Sequence, residues 1–173
     1  MEKHWDAIII GGGPAGSTVA KYAAKEGVKV LVIDSREKIG NPLQCGELVP
    51  TNEQLKKLCP FVPEIEDLFN LPEEAISRRT SSMGLVTPSG KRLIYPFQGK
   101  ILERPIHDQA LVKLAEEAGA TFLTKSKVID IQDNNVTLSN GDTFEGKIIV
   151  GCGGPHDPLR AKYWNEKSLN IFV

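Results

Sequence analysis

The chain lacks most of the features that assign a protein to a special class. Of its 173 residues only 6% are aromatic, three are cysteine and three are histidine. Cys45, Cys59 and Cys152 are odd in number and widely scattered, which speaks against a disulfide framework and for free thiols in a reducing, cytoplasmic setting. His4, His107 and His156 stand far from one another, and Cys152 with His156 alone supplies too few ligands for a metal. The apolar run near the start, Ala7-Ile8-Ile9-Ile10, is far short of the ~20 residues that span a bilayer. Glu2 and Asp6 flank it and no small-residue cleavage site follows, so it is not a secretory signal. Charge of one sign is not in excess: 21 Lys and Arg against 22 Asp and Glu leave −1, which argues against a general nucleic-acid binder. No run of Lys and Arg stands out as a membrane patch, although a surface membrane contact and self-association both stay open. No G-x-S-x-G elbow exists for a serine hydrolase.

What is present is 40% hydrophobic residues, enough for one real core. Trp5 to Ile10 is a β-branched apolar run ending in glycine and predicts a buried strand. Pro14 opens a helix, where its missing N–H costs nothing; Ala15, Val19, Ala20, Ala23 and Ala24 recur at helical spacing, and Gly27 ends it. Val28 to Ile33 is a second buried strand with Asp34 at its carboxyl end. Thr51 with Gln54 predicts a capping box for a short helix through Leu58. Met83–Thr87 and Arg92–Tyr95 flank Pro88-Ser89-Gly90 and predict a hairpin. Pro105 to Ala118 predicts a helix whose apolar stripe is Ile106, Ala110, Leu111, Leu114 and Ala118. Short strands follow at Thr121–Thr124, Lys127–Ile131, Val136–Leu138, Thr143–Glu145 and Lys147–Val150, the middle three as a meander.

The chemistry lies in Gly11-Gly12-Gly13-Pro14-Ala15-Gly16, which satisfies G-x-G-x-x-G between a strand and a helix, with an acidic residue ending the next strand. Gly11 permits the tight turn, Gly13 lets the backbone approach a pyrophosphate, and Gly16 allows the helix to pack closely on the strand. The helix dipole and free N–H groups attract the phosphate, and Asp34 can accept hydrogen bonds from ribose hydroxyls. NAD and FAD both use this fingerprint. The long irregular segment after Asp34, followed by a meander in place of a crossover helix, resembles the FAD-binding fold of the glutathione-reductase type.

Particular residues sharpen the resemblance. Asp34-Ser35-Arg36-Glu37-Lys38-Ile39-Gly40, then Pro42-Leu43-Gln44-Cys45-Gly46-Glu47, and then Arg104-Pro105-Ile106-His107-Asp108-Gln109-Ala110-Leu111 resemble the geranylgeranyl reductase family of flavoproteins, with His107 where an aromatic is usual. The resemblance implies FAD as cofactor. It implies that Gly11, Gly13, Pro14, Ala15 and Gly16 hold the pyrophosphate, Asp34 the adenosine ribose, and Ser35 and Arg36 the adenine end. Cys45, Gly46 and Glu47 would lie along the flavin, Arg104 by the phosphate or ribityl region, and Val128 at the adenine. Cys45 is the candidate catalytic thiol, with a small buried residue as the alternative. Relatives carry A-D-G-x-x-S-x-x-R after the last strand; here Gly154 and Arg160 are kept, while Gly153 replaces the aspartate and Asp157 the serine. That departure puts use of a nicotinamide donor in doubt.

The expected architecture is α/β: a Rossmann-like FAD-binding domain from 1–40 and 98–160 with its β-meander, an inserted segment at 41–97, and the beginning of an antiparallel substrate region at 161–173. The resemblance implies the FAD-binding portion of an oxidoreductase that reduces isoprenoid double bonds of a lipid, with a separate electron donor. A non-catalytic FAD- or ADP-binding module, in which the 173-residue chain turns nothing over by itself, is the alternative. The front part of a flavin monooxygenase is another.

Overall fold

The structure is a computed structural model that describes residues 2–43, 45 and 47–164. The elements run β1 (His4–Ile10), α1 (Pro14–Lys25), β2 (Val30–Ile33), β3 (Leu48–Pro50), α2 (Asn52–Leu58), α3 (Ile65–Leu68), β4 (Ile76–Val86) and β5 (Arg92–Leu102). They continue through α4 (Arg104–Glu117), β6 (Thr121–Leu123), β7 (Val128–Gln132), β8 (Asn135–Leu138), β9 (Thr143–Gly151) and α5 (Pro158–Tyr163). The chain divides into two units, 1–41 with 108–173 and 42–107. The second division lies at 107/108 rather than 97/98 because Arg92–Leu102 is one unbroken strand.

In the first unit, β1 is flanked by β2 and β9, both parallel to it, within a six-stranded sheet ordered β6-β2-β1-β9-β8-β7. Strand side chains alternate between faces, and both faces of this sheet are apolar. Ala7, Ile9, Val30 and Val32 pack against Ala20 and Ala24 of α1 and Ala115 of α4. Small residues on the helices let them lie close to the strands. Ile8, Ile10, Leu31 and Ile33 pack instead against Ile131, Val136, Leu138 and Phe144 of the meander. Ile8, Leu31 and Val136 are fully buried, each contributing about 1.5–3 kcal/mol of transfer energy.

Three local expectations need correction. Thr143–Glu145 and Lys147–Val150 are one strand, because Gly146 continues the ladder opposite Trp5 instead of breaking it. The buried face of α4 is His107, Asp108, Val112 and Ala115, whereas Ile106 and Leu114 are exposed. The stripe is rotated because the contact with the sheet is made by a small residue, Ala115, where a leucine would hold the helix off. Thr51 stands at the N-cap of α2, but its hydroxyl makes no capping bond.

The second unit is built on a three-stranded antiparallel sheet, β3-β5-β4. The predicted hairpin is there but longer: β4 and β5 pair from Ile76/Leu102 to Val86/Arg92, with a bulge near Ser81. Most of its residues are exposed, so the alternation that marks a half-buried strand is absent from the sequence. The beginning of an antiparallel region expected within 161–173 falls, from 165 on, outside the described residues.

Candidate functional site

The parallel strands β1, β2 and β9 end at one level, Ile10 opposite both Ile33 and Gly151. Ligands of open α/β sheets bind outside such carboxyl ends. Two glycine-rich turns meet there. Gly11 leaves β1 at φ 100, a backbone conformation that favours glycine, and its N–H donates to the Ile33 carbonyl at 2.8 Å. A Cβ at Gly11 would collide with the Cys152 carbonyl, and one at Gly16 with the Gly11 carbonyl. These two glycines therefore let the first turn, the helix and the 151–154 turn close on one another. Ser17 fastens the turn, its hydroxyl donating to the Gly12 carbonyl at 2.9 Å.

Gly13 is different. It is the N-cap of α1, extended at φ −66 and ψ −172, and a Cβ there would meet nothing closer than the Arg36 guanidinium at 3.9 Å. This is a bare cradle at the positive end of a 12-residue helix, shaped for an anion. Pro14 at N1 and Ala15 continue that first turn.

Asp34 is buried at the end of β2. One carboxylate oxygen accepts from the Gly12 N–H at 2.7 Å and Arg36 Nη2 at 2.6 Å; the other accepts from the Arg36 N–H at 2.8 Å and Nε at 2.9 Å. Burial pushes the Asp34 carboxyl up, but the Arg36 side chain, the Arg36 and Gly12 N–H groups and the Arg36 charge outweigh it and hold the group below the usual carboxylate range. Asp34 thus braces the glycine turn through Gly12, and Arg36 folds back over Gly13. Ser35 is exposed between them. The backbone at Asp34 and Arg36 accepts from Ser126 and Lys125, which places the start of β7, Val128, two residues beyond that anchor.

The second turn carries a feature that motif reading passes over. Gly153 stands where relatives of the resembling family have aspartate, so no carboxylate is expected at that turn. The structure supplies one from Asp157. Its oxygens accept from the Gly153 N–H at 2.5 Å, Leu159 N–H at 2.9 Å and Arg160 N–H at 3.0 Å, so it caps α5 and holds the turn together. A Cβ at Gly153 would lie 3.0 Å from Asp157 Oδ2. The signal for this cap was present, since Asp157 precedes Pro158 at N1. Cys152, between the turns, has its thiol pushed up by burial and by the Asp157 charge, which disfavours the thiolate.

The residue comparisons agree with this geometry. Residues 9–52 match the model of the NAD(P)-binding Rossmann-like domain. An uncharacterized protein in the nifH2 5′ region of Methanosarcina barkeri is 32% identical over 158 residues, covering 90% of this chain and 85% of that protein. The digeranylgeranylglycerophospholipid reductase of Methanosarcina acetivorans is 35% identical over 162 residues, covering 89% of this chain. Along about nine-tenths of its length the chain is similar to digeranylgeranylglycerophospholipid reductases. It spans 39% of the length of that reductase. Among solved structures, a geranylgeranyl bacteriochlorophyll reductase-like protein from Thermoplasma acidophilum matches with TM-score 0.68 and 28% identity, over 85% of this chain and 38% of that one. The halogenase PltM in complex with phloroglucinol and FAD matches with TM-score 0.67 over 90% of this chain and 35% of that one; at 23% identity it speaks for the fold. FAD, the cofactor expected from the sequence, is thus held by a protein of this fold, and the bare cradle at Gly13 fits its pyrophosphate.

Gly11, Gly13, Pro14, Ala15, Gly16, Asp34, Ser35, Arg36, Val128 and Gly154 all belong to the first unit. Cys45, Glu47 and Arg104 belong to the second. The Cys45 thiol is exposed, and its sulfur accepts from the Glu47 N–H at 3.5 Å. Glu47 is held at φ 65, a conformation uncommon for a glutamate. Arg104 begins α4 and is half-buried. Gly46 lies outside the described residues. No helix among the described residues is long and apolar enough to cross a membrane.

Proposed function

We propose that this chain binds FAD across its two glycine-rich turns and forms the flavin-holding portion of an oxidoreductase that saturates isoprenoid double bonds of a lipid. The observation that carries this reading is the meeting of Gly11–Gly16, Asp34 and the 151–154 turn at the carboxyl ends of β1, β2 and β9, in a chain similar to these reductases. FAD, once bound and reduced by a separate electron donor, would supply hydride to one carbon of the double bond while a proton completes the other. The chain's own part is binding and orientation. The first turn of α1 meets the pyrophosphate with its N–H groups and dipole. Gly13 leaves the backbone bare for close approach. Asp34 offers its oxygens to the ribose hydroxyls once the Arg36 guanidinium gives them up, and Arg36 keeps a positive charge at the adenine end. Asp157 keeps the second turn in the shape that receives the cofactor. The reading rests on the first unit; Cys45, Glu47 and Arg104 are not needed for it.

The test is the visible spectrum of the purified chain, with heat-released cofactor identified, followed by titration with FAD and with ADP. A flavin spectrum or saturable FAD uptake is expected. Gly13→Ala, whose added methyl meets open space in the protein, should keep the melting temperature and weaken FAD at least tenfold, about 1.4 kcal/mol. A chain that takes up neither FAD nor ADP, or a Gly13→Ala variant that binds FAD as well as the parent, overturns the site. A second reading is favoured by a first unit whose assembled site residues, Gly11–Gly16 and Asp34, all suit nucleotide binding: a nucleotide-binding module without turnover. Reduction of a geranylgeranyl lipid by the FAD-loaded chain given a chemical reductant decides between the two.

A further inference from the structure

The nucleotide site leaves the β4–β5 hairpin unexplained. From Ile76 to Leu102 the chain carries Arg78, Arg79, Lys91, Arg92 and Lys100 and no acidic residue, within a protein of overall charge −1. No contiguous basic run marks the sequence; the pairing of two strands gathers these residues into one element. Arg79 is engaged by Glu73, while Lys91 and Arg92 project from the turn end and are exposed.

The same end is apolar on both faces. The register sets Met83 opposite Tyr95 and Leu85 opposite Leu93 on one face, and Gly84 opposite Ile94 and Val86 opposite Arg92 on the other. Met83 is 45% exposed, Leu85 56%, Val86 63%, Ile94 72% and Tyr95 50%. A single exposed leucine needs no explanation, but five large apolar side chains on four consecutive rungs, three on one face and two on the other, make the whole turn end apolar.

We propose that the turn end of the β4–β5 hairpin docks on an anionic lipid surface. The turn end enters the interfacial layer with Met83, Leu85 and Tyr95 of one face and Val86 and Ile94 of the other in apolar surroundings, and Lys91 and Arg92 among the phosphates. A flat protein partner covers one face of a two-stranded ribbon and leaves the other bare; an interfacial layer into which apolar side chains sink about 5–10 Å surrounds both. Basic residues at the rim of the patch complement an anionic headgroup layer. A tyrosine beside them suits the boundary between wet and apolar regions. β4 is an edge strand, whose open backbone cannot enter hydrocarbon, so the hairpin stops at the headgroup level. This surface is independent of what the nucleotide site binds or turns over.

Flotation of the full chain with phosphatidylcholine vesicles, and with vesicles holding about 30% phosphatidylglycerol, tests it. The chain should float with the anionic vesicles, weakly or not at all with the neutral ones, and should be released between about 0.05 and 0.5 M salt. Each basic residue near the surface is worth about fivefold, so Lys91→Gln with Arg92→Gln should lower partitioning about 25-fold. Leu85→Ser with Ile94→Ser should lower it at least tenfold. Both pairs are exposed and should keep the melting temperature. Tyr95→Trp provides a readout that does not depend on weakening the hairpin: its emission should shift to the blue with anionic vesicles, against the two tryptophans of the parent. No binding to either vesicle, or equal binding unaffected by Lys91→Gln with Arg92→Gln, overturns the proposal. So does a dimer in sedimentation velocity that Leu85→Ser with Ile94→Ser dissociates and that binds no vesicles, which would give the hairpin to a second copy.

Discussion

Replacing Asp34 by asparagine tests how the nucleotide turn is held. The two side chains have the same shape, so packing is unchanged and only the hydrogen-bond pattern differs. In the native chain both carboxylate oxygens face donors, four in all. An asparagine must turn its NH2 toward one of the two donor pairs, so two bonds are lost whichever way it flips. Arg36, a quarter exposed, can turn outward and recover water. A backbone N–H, of Gly12 or of Arg36, cannot move away so easily, and leaving it unmatched costs about 1–3 kcal/mol. Allowing for the lost charge-assisted bond at a partly exposed guanidinium, the variant should be about 2–3 kcal/mol less stable at pH 7. For a chain of this size that lowers the melting temperature by about 4–12 °C. The pH dependence carries the sign. The folded-state pKa of Asp34 is depressed, so its contribution is fully present above the unfolded value of about 4 and is lost as pH falls through the lower folded value. Urea unfolding of both chains at pH 7, 5, 4 and 3.5 should therefore show a constant gap down to about pH 4 and a narrowing one below it. A gap under about 0.5 kcal/mol at pH 7, or one that stays constant into the acid range, refutes the assignment of this carboxylate as the charged brace of the turn.

Other outcomes follow from the same geometry. Gly16→Ala drives a methyl into the Gly11 carbonyl and should cost about 1–3 kcal/mol, read as a lower urea midpoint at unchanged slope. Asp157→Ala removes the α5 cap and the acceptor for the Gly153 N–H; it should cost about 1–2 kcal/mol and weaken FAD more than Asp157→Ser, which keeps a capping oxygen. Equal effects of alanine and serine there would show that the cap is not what shapes the turn. Cys152 should react with iodoacetamide at neutral pH much more slowly than exposed Cys45, as rates by mass spectrometry would report.

The β-α-β unit was legible because its signals are local and redundant: a β-branched run, glycines at fixed spacing, a proline at the first turn of the helix and an acid at the next strand end. The meander was legible from its turn residues, Asn134-Asn135 and Asn140-Gly141. Other features depend on contacts that no short window contains. Helix α4 turns Ala115 to the sheet because the strands it meets offer close approach to a small side chain, while hydropathy alone points to Leu114. The hairpin runs far beyond Met83–Tyr95 because strand pairing, not burial, defines it. The clamp of Arg36 on Asp34 joins residues two apart in sequence, but only a loop that brings the guanidinium back over the carboxylate makes it. Asp157 could have been read as a cap; that its other oxygen would serve Gly153 required the turn itself.

The placement of β1 between β2 and β9 also sets an order of events during synthesis. Ile10 pairs with Ile33 and with Gly151, so one side of the first strand finds its neighbour almost at once and the other waits for a segment made 141 residues later. At about 5–20 residues per second that interval is roughly 7–28 s. Throughout it, a strand of isoleucines presents an open edge, and the second unit is translated and can fold before the first is complete. Among the described residues β9 is the last strand to arrive; it must insert beside the oldest one, and the nucleotide turn gains its second half only then. A nascent chain halted before residue 151 should therefore engage holding chaperones and bind no FAD, and the site should form as a late step at the ribosome.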